Sequence, residues 1–61
     1  MTGKQVINKL EKEGWRVLRS QGSHCRLGKG NKRTTFPIHG HKDLGKGLIS
    51  AIERQTGVKL S

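Results

Sequence analysis

His24 is the residue whose type and setting could do chemistry. It stands two positions after Gly22 in the stretch Ser20-Gln-Gly-Ser-His-Cys-Arg-Leu27, and Arg26 stands two positions further on. An imidazole free of neighbours titrates near pH ~6.5, so it can take or give a proton under cellular conditions. An arginine beside it offers a forked, permanently charged donor for phosphate. Together they meet the minimum for cleaving RNA. The 2′-hydroxyl next to each phosphodiester is a built-in nucleophile. What remains is a base for that hydroxyl, an acid for the leaving oxygen, and cations for the charge gathering on phosphorus. The same residues also describe an exposed histidine that binds phosphate and moves no proton, so the pattern leaves both readings open.

Other candidates are weaker. His39 and His41 lie in a glycine-containing loop, where either fits a general acid, a phosphate contact or a solvated ring. With Cys25 and His24 they contain the donor types of a zinc site. However, alternation turns Cys25 away from His24, and His-x-His alone is poor ligand spacing. No metal and no cofactor is expected. Gly40 to Gly47 runs close to the phosphate-cradling pattern G-x-x-x-x-G-K-[ST], but Gly47 stands where magnesium needs a hydroxyl. Backbone amides at the start of the following helix, with Lys42 and Lys46, still fit a single RNA phosphate. Lys42 is therefore a secondary RNA-binding candidate.

These side chains need elements to hold them. Thr2 and Gln5 have the spacing of a capping box, and Val6, Ile7 and Leu10 follow helical periodicity. A first helix is expected from about Thr2 to Glu13, ended by Gly14 in a left-handed conformation. Trp15 to Ser20 is β-prone but only partly alternating, and Gln21-Gly22 reads as the turn back. Ser23 to Leu27 alternates, with Cys25 and Leu27 on one face and His24 and Arg26 on the other. Gly22 and Ser23 would thus position the histidine by fixing the turn. Gly28 to Lys32 reads as a basic hairpin loop. Arg33 to Ile38 reads as a third strand, and Pro37 places it at an edge or near its end. A second helix is expected from about Lys46 to Thr56, with Leu48, Ile49 and Ile52 inward and Gly57 as its stop; Val58 and Leu60 can return to the core. The order predicts an α+β domain, α-β-β-β-α, with a three-stranded antiparallel sheet and both helices on one face. The other face then presents His24, Arg26, Arg33 and Thr35 to water.

Size and charge bound the function. The chain has 61 residues, enough for one domain over 1–61, with 13 lysines and arginines against 4 acids and a net charge of +9. A domain this small cannot enclose a large cofactor pocket, so its chemistry must sit on an open face. The charge points to a polyanion, RNA first, with an anionic membrane surface or an acidic protein behind it. The apolar runs are far short of the roughly 20 residues needed to span a membrane. No apolar signal segment follows Met1, and Cys25 is alone; both lead to a cytoplasmic expectation. Only Trp15 and Phe36 are aromatic, which argues against a stacking platform for single strands.

At these residues the chain resembles the HicA family, small toxins of bacterial HicA–HicB toxin–antitoxin pairs. The resemblance rests on the opening helix around Lys9-Leu10-Glu11, on Gly14-Trp15, and on Arg19-Ser-Gln-Gly-Ser-His24. It continues in Pro37-Ile38-His39 and in Leu44-x-x-Gly47-x-Ile49-x-x-Ile52, and so spans nearly the whole chain. It departs at Cys25, where larger or aromatic residues are usual. The resemblance implies a fold similar to double-stranded RNA-binding domains and metal-independent cleavage of mRNA. It implies His24 as the catalytic residue and a cognate HicB-type antitoxin that covers it. Joined to the residue reading, it leads to a ribonuclease in which His24 is the base and cyclic phosphate ends are left. Gly22, Ser23, Arg26 and Lys42 are then the RNA-binding residues. Two alternatives share the charge: a non-catalytic RNA-binding module of the same fold, and an adaptor for an acidic protein.

Overall fold

The sequence places Thr2 and Gln5 three apart, and in the computed structural model, which describes residues 1–60, they close a full capping box. The Gln5 N–H donates to Thr2 Oγ1 at 3.2 Å, and the Thr2 N–H donates to Gln5 Oε1 at 2.8 Å. Helix α1 (Gly3–Lys12) follows, with Lys9 and Lys12 in the last turn at the negative end of its dipole. It ends in a Schellman arrangement. Gly14 takes a φ of 95°, its N–H donates to the Glu11 carbonyl, and the Trp15 N–H donates to the Leu10 carbonyl. Leu10 and Trp15 are both buried, which supplies the apolar contact of that motif.

Strands β1 (Arg16–Gln21), β2 (His24–Lys29) and β3 (Lys32–Pro37) form an antiparallel sheet in the order β1-β2-β3. The turns differ from the expected ones. The first is Gly22-Ser23 rather than Gln21-Gly22, and the expected five-residue loop shrinks to Gly30-Asn31. Each glycine occupies the first central position with φ of 59° and 57°, while Ser23 and Asn31 keep negative φ. That is the pattern of a type II′ turn, whose twist suits a two-residue hairpin. Pro37 is the last residue of the edge strand β3, where its missing N–H leaves no gap in the ladder.

Helix α2 (Lys46–Thr56) matches its expected range and stops at Gly57, which has a φ of 73°. The chain then folds back. The Leu60 N–H donates to Glu53 Oε2 at 2.8 Å, and Leu60 is buried. Cys25 and Leu27 of β2 and Phe36 of β3 form one cluster with Val6, Leu10, Ile49 and Ile52 from the two helices. Both helices therefore cover one face of the sheet. The architecture is α-β-β-β-α, with the second sheet face bare.

β1 carries the feature that matters most for that bare face. Its register shifts between Val17 and Arg19: Val17 pairs with Leu27, and Arg19 pairs with Arg26. Leu18 is the extra residue of a β-bulge. Its side chain lies across Gly28, where a Cβ would meet Leu18 Cδ1 at 2.6 Å. Gly28 is thus a strand residue, and glycine there leaves room for Leu18 and Arg33 to close over it.

Candidate active site

His24 opens β2, directly after the Gly22-Ser23 turn, and is exposed. Directly opposite residues of an antiparallel pair share a face, so Gln21 on β1 and Pro37 on β3 flank His24. Two residues along, Arg26 is exposed between Arg19 and Thr35. Beyond it Gly28 lies between Arg16 and Arg33. Cys25 and Leu27, the alternate residues, point into the core at 1% and 0% exposure. The open face therefore holds one imidazole at its end and a block of guanidiniums behind it. This is the face that alternation in β2 and β3 predicts.

Arg16, Arg19 and Gln21 join that face without having been legible as members. Strict alternation along β1 would put Arg16 and Arg19 on opposite sides. The bulge at Leu18 puts them on the same side. The signal available in the sequence was the broken alternation of Arg16-Val-Leu-Arg19 itself. None of Arg16, Arg19 and Arg26 has an ion pair or hydrogen-bond partner among the described residues. Arg33 differs, because its Nη1 donates to the Gly30 and Lys32 carbonyls at 2.8 and 2.7 Å.

The remaining candidates lie past the end of β3. The Ile38 N–H donates to the Ser23 carbonyl, so the loop carrying His39 and His41 leaves from the end of the sheet that holds His24. Lys42 is exposed on that loop rather than on the sheet, its N–H donating to the His39 carbonyl at 3.0 Å. The loop is pinned by a bridge between Thr2 and Asp43 and by the Leu44 N–H donating to the Met1 carbonyl at 2.8 Å.

The donor set bears on metals. Among the described residues no group of three or more His, Cys, Asp or Glu is placed to hold an ion. Burial pushes the Cys25 thiol above its ordinary value, and the Glu11 carboxylate adds to the shift, so the thiol is held protonated. A cleft of 340 Å³ is lined by Met1, Leu44, Lys46, Ile49, Ser50 and Leu60, away from His24. The surface around His24 is exposed and basic, which suits a polyanion lying across it. No described helix is long and apolar enough to cross a membrane.

The chain is similar to known proteins. The family model for the HicA toxin of bacterial toxin–antitoxin pairs matches residues 3–58. A probable mRNA interferase HicA from Pseudomonas fluorescens (strain Pf0-1) is 38% identical over 50 residues, covering 82% of this chain and 83% of that protein. No solved structure matches at a comparable level.

Proposed function

The chain belongs to the HicA toxin family, and from that premise we propose that it is the toxin of a type II toxin–antitoxin pair. Its activity is cleavage of mRNA without a metal. His24 takes the proton from a 2′-hydroxyl as that oxygen attacks the adjacent phosphorus. The bond from phosphorus to the 5′-oxygen breaks, leaving a 2′,3′-cyclic phosphate on one fragment and a 5′-hydroxyl on the other. The leaving oxygen takes its proton from the imidazolium formed in the first step or from a second acid. His39 and His41 stand on the loop at the same end of the sheet and are candidates for that role. Arg26 binds an RNA phosphate beside His24 and so holds the strand in place for the reaction. Gly22 and Ser23 set the turn from which His24 projects, and Lys42 meets a more distant phosphate.

The observation that carries this reading is the exposed imidazole at the end of a face on which Arg16, Arg19 and Arg26 have no protein partner among the described residues. A cognate HicB-type antitoxin would neutralise the toxin by covering that face. The test is an RNA containing one 2′-deoxynucleotide on the 5′ side of a mapped cleavage site. Cutting should vanish at that position alone, and the products elsewhere should carry cyclic phosphates. Cutting at the deoxynucleotide would remove the 2′-hydroxyl from the reaction and with it this mechanism.

A further inference from the structure

The bulge at Leu18 does more than widen the basic face. It places Arg19 directly opposite Arg26, two guanidiniums side by side on neighbouring strands. Cβ atoms of such a pair stand about 4.5–5.5 Å apart, and like charges there are unfavourable unless something negative sits between them. Neither has a carboxylate or a carbonyl as partner among the described residues. Two forked donors borne by directly opposite residues are within reach of one phosphate, whose oxygens accept paired bonds from guanidinium. We propose that Arg19 and Arg26 form a clamp for one phosphate of a single-stranded RNA, with Arg16 beyond it and the scissile phosphate over His24.

The spacing supports a track rather than an isolated site. Arg26 is two residues from His24 along β2, roughly 6.6 Å in a strand. That step is comparable to the separation of successive phosphates in an extended RNA strand. The phosphate in the clamp is thus the immediate neighbour of the one being cut. The clamp fixes register along the polymer and reads no base, which is the usual role of phosphate contacts. Single-stranded RNA fits better than a duplex on grounds of size. Duplex-binding domains of similar topology span about 16 base pairs, whereas the longest dimension of this molecule is 28 Å.

The clamp rests on the ribonuclease reading, and the experiment separates the two. Binding of a short fluorescein-labelled single-stranded RNA of mixed sequence is measured against salt concentration, in a His24→Ala background so that the probe survives. Each phosphate contact contributes about 0.7 to the slope of log K against log salt for single strands. Because the two guanidiniums share one phosphate, Arg19→Gln and Arg26→Gln should each weaken binding, and the double variant should lower the slope by about 0.7 in total; a fall of about twice that would mean two separate phosphates and overturn the clamp. Arg19→Lys should keep the slope but bind more weakly, because a point charge replaces the fork. Lys9→Gln, exposed on α1, should change nothing. If Arg26→Gln weakens binding while Arg19→Gln leaves both affinity and slope at the parent values, the clamp is wrong and Arg19 is left for a protein contact. If the parent does not bind, or Lys9→Gln costs as much as either arginine, the open face is not the RNA surface and the ribonuclease reading fails with it. Circular dichroism of each exposed-residue variant confirms that the fold is unchanged.

Discussion

Replacing Gly22 by alanine isolates what the turn contributes to holding His24. Gly22 has a φ of 59°, and a Cβ built there meets nothing within 4 Å. The cost of alanine is therefore conformational and not steric. A residue forced into so sparsely populated a region costs about 1–3 kcal/mol. For a domain of this size each kcal/mol moves the melting temperature by roughly 4–8 °C, so a cost of about 2 kcal/mol lowers it by roughly 8–16 °C. The assay is thermal unfolding followed by circular dichroism, with RNA cleavage measured well below the transition. Two further variants make the result specific. D-alanine at position 22, reachable by chemical synthesis of a 61-residue chain, favours positive φ and should melt at or above the parent. Gly47→Ala lies in a helix with open space around its Cβ and should raise stability by about 0.5–1 kcal/mol. If L-alanine and D-alanine at position 22 melted alike, the backbone argument would be refuted, and with it the assignment of Gly22 as the residue that aims His24.

Two other perturbations test the packing beneath the site. Alanine at Gly3 would bring its Cβ to 2.8 Å from Ile38 Cγ1 and 3.2 Å from Cγ2, so it should destabilise by about 1–3 kcal/mol. That cost should shrink in an Ile38→Ala background, which a double-mutant cycle in urea would reveal. Cys25 makes a prediction about pH. Its thiol is raised from 9.0 by burial first and by the Glu11 carboxylate second, so the folded chain keeps that proton after the unfolded chain has lost it. Stability should consequently fall as pH rises past 9.0, and Cys25→Ala should flatten that fall relative to the parent. An equal fall in both proteins would mean that the Cys25 thiol contributes nothing to it.

Local chemistry was legible in the sequence wherever one residue dictates its own geometry. The capping box of Thr2 and Gln5, the glycines that end both helices, and the alternation that turns His24 and Arg26 away from Cys25 and Leu27 all reappear in the fold. Less legible was anything decided between strands. Gly28 reads as loop because it opens a run of glycines and lysines, yet it is buried in β2 beneath Leu18 and Arg33, contacts that only the folded sheet creates. For the same reason β1 did not disclose Arg16, Arg19 or Gln21 as members of the open face. A bulge cancels the period-2 rule, and nothing local to Arg16-Val-Leu-Arg19 shows which residue is the extra one.

The proposal that matters most is that the open face cuts RNA through His24. Its most direct test is cleavage of a long single-stranded RNA in the presence of a chelator, wild type beside His24→Ala, with binding and circular dichroism measured on both. Cutting by the wild type, no cutting by His24→Ala, and equal RNA binding and folding of the two are expected. Equal cutting by both would place the chemistry elsewhere. Binding without cutting by either would make the chain an RNA-binding module of this fold, with an arginine face and no reaction.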